Sequence, residues 1–168
     1  MKEILQQLSA YNIWANQLLG NRITSLDTEL QLKEVKSSFN SLHNTILHLW
    51  DAENIWWQRM KLQERITRPS EIFSGTTTEA ISELLQQNKQ WNEWISAAQE
   101  HQLLHVFQYQ NMQREMFKQP LYQMLVHLFH HGSYTRGQLV NIMRQLEVDK
   151  IPSTDFIIWS RKPGKSSS

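Results

Sequence analysis

The chain contains no cysteine among its 168 residues. This absence excludes disulfides, thiolate metal sites and cysteine nucleophiles, so any metal must be held by histidine and carboxylate side chains. It also fits a reducing compartment. Breaks are scarce as well, because the sequence has only five glycines and four prolines. Such a composition favours long helices.

A net charge of either sign is also nearly absent, because 17 lysines and arginines face 16 aspartates and glutamates. The chain therefore has no field that would concentrate a polyanion such as nucleic acid. No uninterrupted apolar run approaches the roughly 20 residues of a membrane-spanning helix. The N-terminal stretch lacks the apolar centre and cleavage site of a signal peptide. We therefore expect a cytoplasmic protein that binds neither nucleic acid nor membranes.

Apolar residues spaced three and four apart indicate long amphipathic helices. The length predicts one domain over residues 1–162, followed by a disordered tail over residues 163–168. We predict long helices over residues 3–24, from Ser37 or Ser38 to about Gln63, from Thr76–Thr78 to about Glu100, and over Pro120–Leu146.

The segments between these helices are shorter and more polar. Residues 25–36 predict a linker with at most one helical turn. Partial alternation over Leu103–Lys118 favours two short strands joined near Gln110 and Asn111, with a helix as the alternative. A short apolar segment, Phe156–Trp159, follows the last long helix. Together these features predict an all-α four-helix bundle with a hairpin before the fourth helix and a short C-terminal helix.

Histidines on or beside the apolar stripes are the candidate functional residues. His127 and His131 lie four apart on the fourth helix, so their side chains point the same way about 6 Å apart, a spacing that zinc or nickel can bridge. The alternative is a solvated or hydrogen-bonded pair. His48, on the core edge of the second helix, is the candidate third ligand. Asp51, one turn later, either orients the imidazole of His48 or lies exposed on the helix flank.

Three further features of these helices predict packing. His130 is turned about 100° from its neighbour His131 and should face solvent or an adjacent helix. Gly137 lies in mid-helix, where glycine costs about 1 kcal/mol relative to alanine, so we expect close packing by a facing helix there. Trp56 and Trp57 either wall a pocket near the second-helix histidine or fill the core.

The run HLFHHGSYTRGQL, residues 127–139 of the fourth helix, resembles the motif H-v-f-n-H-s-t-x-H-R-G-Q of DinB-like proteins. Three other segments are similar to motifs of the same family and occur in the same order. They are YNIWANQL in the first helix, LHLWDAENIWWQRM in the second, and IPSTDFIIW near the C-terminus. The resemblance covers most of the chain and implies the DinB-like metal-binding four-helix bundle.

This resemblance implies a metal site with one altered position. DinB-like proteins bind a divalent metal, often nickel or zinc, through one histidine of the second helix and two, four apart, of the fourth. By position the first two ligands are His48 and His131, and the third falls on Thr135. A neutral hydroxyl is a far poorer ligand than imidazole for such cations. The implied site is therefore degenerate, with His127 or water completing the coordination.

The resemblance also implies a choice between two functions. One is a metal-dependent hydrolase or thiol transferase that acts on a small-molecule substrate, which the sequence does not identify. The other is a metal-free bundle that binds a small molecule or self-associates. Pairing as a homodimer is implied in either case. The family name's association with DNA damage concerns stress-response regulation and implies no contact with DNA.

Overall fold

A computed structural model describes residues 1–111 and 113–162, so the predicted disordered tail lies outside the described residues. The elements are α1 (Lys2–Thr24), α2 (Thr28–Leu32), α3 (Leu42–Met60), a 3₁₀ turn (Pro69–Glu71), α4 (Thr77–Ala97), α5 (Glu100–Leu104), β1 (Val106–Gln110), β2 (Met116–Pro120), α6 (Leu121–Gln145) and α7 (Phe156–Ser160). The predicted all-α bundle is confirmed, including the antiparallel hairpin before α6 and the short terminal helix.

The long helices α1, α3, α4 and α6 form the bundle. Helices α1 and α3 each pack mainly against α4 and α6, so the order around the bundle is α1, α4, α3, α6. The connections from α1 to α3 and from α4 to α6 therefore cross the bundle diagonally, and α2 lies in the first while α5 and the hairpin lie in the second. Among the described residues, we find no helix with the length and apolarity to span a bilayer.

Local sequence sets where the helices begin. Helix α4 begins where a start at Thr76–Thr78 was predicted, and Thr76 and Glu79 form a capping box there, in which each side chain accepts a hydrogen bond from the other residue's backbone N–H. The predicted start of α3 at Ser37 or Ser38 is wrong. Asn40 has a φ of 64°, which interrupts a right-handed helix, and α3 begins after Ser41, whose hydroxyl accepts from the backbone N–H of Asn44.

The core contains two large apolar clusters separated by a layer of polar side chains, and a small third cluster in which Trp159 of α7 packs on Tyr11 and Ala15 of α1. One large cluster includes Leu5, Trp91, Ile95, Leu103, Leu121, Leu125 and Leu128, and the other includes Leu19, Ile23, Leu42, Ile46, Ile81, Leu139 and Ile142. Between them lie Asn12 and Asn16 of α1, Glu53 of α3, Asn88 of α4 and Arg136 of α6, all buried. We call these five residues the polar layer. Each of the four long helices contributes to it.

Two helical glycines have opposite surroundings. A Cβ atom on Gly20 would lie 2.8 Å from Cγ2 of Ile81, so glycine at this position permits the close approach of α1 and α4. A Cβ atom on Gly137 would meet nothing within 4 Å, and the residue is exposed. The expectation that a facing helix packs closely on Gly137 is therefore wrong, because this position of α6 faces solvent.

These surroundings predict opposite effects of alanine at the two glycines. Gly137→Ala should raise the free energy of unfolding by up to about 1 kcal/mol, because alanine restricts the unfolded chain and adds no clash. Gly20→Ala should lower it by about 1–3 kcal/mol through overpacking against Ile81. Urea denaturation of both variants measures the two values. A destabilised Gly137→Ala variant would contradict the open surface at that position.

Candidate metal centre

The structure brings His48 of α3 and His131 of α6 together. Their Nε2 atoms lie 3.2 Å apart, and their ring centroids are 5.1 Å apart. Both rings are half-buried at the packed interface of α3 and α6. The side chain of Phe39 stacks on the His48 ring with centroids 3.8 Å apart and an interplanar angle of 18°, which restricts the plane of that imidazole.

The environment favours the neutral form of both imidazoles. Burial lowers the pKa of His131 to about 4, with further lowering from nearby His48 and His127. Burial also lowers the pKa of His48, and the positive charge of Arg68 adds to this effect. Both rings are therefore neutral at pH 7, and neutral imidazole is the form that binds metals.

The two imidazoles fit adjacent positions on one divalent cation. Nitrogen atoms bound at about 2.0–2.1 Å to one tetrahedral ion lie roughly 3.3 Å apart, close to the 3.2 Å between the two Nε2 atoms here. The position of the third ligand implied by the family motif, Thr135, suits a metal less well. Thr135 is fully buried and its hydroxyl has no hydrogen-bond partner among the described residues, but it remains a neutral ligand. In the described part of the chain, no three histidine, aspartate or glutamate side chains converge as a metal site.

The other histidines of α6 lie apart from this pair. His127 is exposed, and its ring centroid is 6.1 Å from that of His131 and 5.5 Å from the ring of Trp56. His48, His127 and His131 all line one cavity beside the pair, together with Phe39 and Trp56. His130 is exposed, in agreement with one of the two orientations predicted for it.

Asp51 has a different role from either of the two predicted. It is buried, and its Oδ1 accepts a hydrogen bond from the backbone N–H of Ser70 while its Oδ2 accepts from the Ser70 hydroxyl. It therefore fixes the 3₁₀ turn against α3 and does not orient the imidazole of His48. The two tryptophans divide the predicted roles, since Trp56 lines the cavity and Trp57 packs edge-on against the buried ring of Trp91.

The polar layer, which sequence reasoning missed as a unit, lies beside the histidine pair on α6. Arg136 is 2% exposed, and its Nη1 donates to the side-chain oxygens of Asn12 and Asn16 at 2.6 and 3.0 Å. Asn12 in turn donates to Oε1 of Glu53 at 2.8 Å. Gly132 leaves room for the hydrogen bond between Arg136 and Asn12, because a Cβ there would lie 3.0 Å from Asn12 Oδ1. The signal that could have found the layer is the placement of these polar residues on apolar stripes.

Glu53 carries the one carboxyl group of this layer, and its pKa lies well above the ordinary value. Burial raises its pKa to about 7, although the hydrogen bond from Asn12, the nearby side-chain amide of Asn88 and the charge of Arg136 act in the opposite direction. Its second oxygen, Oε2, is buried with no hydrogen-bond partner within the described residues. The carboxyl group therefore titrates in the neutral range instead of the acidic range usual for glutamate.

Comparison with known proteins points to one family. Residues 1–160 match the family model described as the DinB family. Over 166 residues the chain is 26% identical to Protein DinB of Bacillus subtilis (strain 168), an alignment that covers 95% of each protein. A solved DinB-like protein from Bacillus cereus ATCC 10987 superposes with a TM-score of 0.63 and 15% identity, covering 83% of this chain and 90% of that one. At that identity the structural likeness concerns the fold alone.

The raised pKa of Glu53 predicts a pH-dependent stability. The folded protein holds this proton more tightly than the unfolded chain, so the contribution is complete below about pH 4.5 and is lost as the pH rises through about 7. Glu53→Gln removes this titration. Between about pH 5 and pH 8 its free energy of unfolding, measured by urea denaturation, should therefore fall less than that of the wild type. Glu83→Gln, at an exposed site of α4, is the matched control, and a Glu53→Gln profile parallel to the wild type would contradict the assignment.

Proposed function

Because the chain belongs to the DinB family, we propose that His48 and His131 bind one divalent cation, zinc or nickel, for hydrolysis or thiol transfer on a small molecule. The separation of 3.2 Å between the two Nε2 atoms is the observation that carries this proposal. The neutrality of both rings supports it, since no proton must be displaced at pH 7. The pair comes from two packed helices, which hold it more rigidly than loops would.

The surrounding residues have separate parts in this proposal. The ring of Phe39 holds the plane of the His48 imidazole by stacking. The buried hydroxyl of Thr135 or a water molecule occupies the position that a third histidine would take. His127 faces the same cavity and is placed to contact an incoming molecule, held there against Trp56. A divalent cation with open positions supplies Lewis acidity and lowers the pKa of a bound water or thiol.

A metal-free binding protein is the second candidate, and Thr135 is the observation that favours it. A contact of 3.2 Å between ring nitrogens is also short enough for a hydrogen bond, in which one Nε2 donates and the other accepts. Such a bond satisfies both nitrogens without a cation. The cavity would then bind a small molecule, and metal content separates the two functions.

Metal binding to the histidine pair is measurable on protein purified without a chelator or a nickel-affinity step. We expect close to one zinc or nickel ion per chain by elemental analysis. Loss of an outer-shell partner already costs 10–100-fold in affinity, so His48→Ala and His131→Ala should weaken zinc binding by at least about 100-fold. His130→Ala is the matched control on the exposed side of α6 and should keep it. If metal-free wild-type protein does not bind added zinc, the result would favour the second candidate, a metal-free binding protein.

Restoring the third histidine should strengthen the site. Thr135→His places an imidazole one turn after His131, where the family motif has its third ligand, and we expect zinc affinity to rise by at least about tenfold. Calorimetric titration measures the affinity, and a rise in melting temperature on adding zinc shows that the folded variant binds it. Thr135→Val is the control of similar shape. A folded histidine variant with unchanged affinity would show that these positions do not converge on one ion.

A further inference from the structure

The cavity beside the histidine pair has the size and walls of a small-molecule site. Its volume is about 410 Å³, within the usual range of ligand pockets. Phe39, Ile55 and Trp56 provide an apolar wall, and the two imidazoles form part of its floor. This composition suits a ligand with an apolar body of a few carbon atoms and a polar end.

Two arginines, Arg59 of α3 and Arg68 of the loop that follows, line the same cavity. Neither forms an ion pair with an acidic side chain among the residues that the structure describes. Nε of Arg59 is buried and has no hydrogen-bond partner within that part of the chain. An unpaired guanidinium at a cavity wall is a ready partner for a carboxylate or phosphate group, because its planar N–H donors match those oxygens in pairs.

Arg59 is also held in position before any ligand arrives. Its guanidinium carbon lies 4.6 Å from the ring centroid of Trp56 and 5.4 Å from that of Tyr109 in β1. Contact with two aromatic rings restricts the rotamers of this long side chain, so less entropy is lost when an anion binds. The hairpin therefore contributes to this site through Tyr109.

The one acidic side chain that lines this cavity in the described part of the chain is Asp51. Its carboxylate is buried, and both of its oxygens already accept hydrogen bonds from Ser70. The carboxylate of Asp51 is thus bonded to the 3₁₀ turn and not to Arg59 or Arg68. Both guanidinium groups remain free of an acidic partner among the described residues of this cavity. The cavity keeps an excess of positive charge over negative.

From these contacts we propose that the cavity binds a small organic anion, with its carboxylate or phosphate group on Arg59 and Arg68 and its apolar body against Phe39 and Trp56. The inference rests on the proposed function in one respect: it names the substrate class for the same site, an anion held next to the His48–His131 pair. The anion contacts themselves need no metal. Recognition by the two arginines therefore has a test of its own.

Benzoate and benzamide, which have the same shape and differ in charge, are the probes. In protein freed of metal with a chelator, NMR titration should show benzoate shifting the resonances of residues that line the cavity, with benzamide at least about tenfold weaker. Phenyl phosphate should compete with benzoate if the site accepts phosphate as well as carboxylate, and its failure to compete would narrow the ligand to carboxylates. Equal binding of benzoate and benzamide would overturn the proposal.

Variants at the two arginines test the assignment by residue. Arg68→Gln should weaken benzoate at least about tenfold and leave benzamide unchanged. Arg59→Lys keeps the charge but not the paired N–H donors, so it should weaken benzoate while preserving the fold; Arg59→Gln should weaken it further. Arg144→Gln changes the net charge equally at an exposed site near the end of α6 and should have no effect. If Arg144→Gln also loses benzoate binding, net charge alone explains the losses, and the assignment of the site to Arg59 and Arg68 is wrong.

The two proposals fail separately. Zinc binding and benzoate binding are measured separately on the wild-type protein, the second after the metal has been removed. If wild-type protein binds zinc but not benzoate, the anion site is wrong and the metal proposal stands. If it binds benzoate but not zinc, the cavity binds anions without a metal, as in the second candidate function.

Discussion

The buried guanidinium of Arg136 is the constraint on which the rest of the bundle depends. A charged group in the interior must be surrounded by hydrogen-bond acceptors, because an unpartnered buried charge costs several kcal/mol. Its acceptors are Asn12 and Asn16 of α1 and the hydroxyl of Ser133, and the ring of Tyr11 lies 5.3 Å from the guanidinium carbon. These partners fix the height and the rotation of α6 against α1. The carboxyl group of Glu53 extends the same network to α3.

The height and rotation of α6 also determine where the histidine pair lies. His131 precedes Arg136 by five residues, or about 1.4 turns of α6, so the two side chains point about 140° apart around the helix. With Arg136 pointing into the polar layer, His131 points toward α3 and meets His48. One orientation of α6 therefore places both the polar layer and the histidine pair, although the two need opposite charge states. The layer holds a charge in the interior, whereas the pair is kept uncharged.

Much of this architecture could be predicted from the sequence, because periodicity and capping are local signals. The long helices, the start of α4 near Thr76 and the hairpin follow from local patterns, and the family motif pointed to His48 and His131. The contacts that were wrong or missed depend on residues distant in the chain. Ser70 donates hydrogen bonds to the carboxylate of Asp51, Gly137 faces solvent, and the two asparagine partners of Arg136 lie more than a hundred residues earlier. Metal binding and pairing as a homodimer stay predictions.

The diagonal connections have a consequence for how the chain acquires its shape. Of the main helix contacts around the bundle, only that between α3 and α4 joins long helices that are consecutive in the chain, while α1 packs against α4 and α6. Contacts between distant segments require large loops to close first, which slows folding. We therefore expect folding to start with the α3–α4 pair. The first and last long helices, α1 and α6, then pack against this pair and against each other. His48 and His131 then meet only when the last long helix docks, so the two imidazoles come together only after α6 has been synthesised.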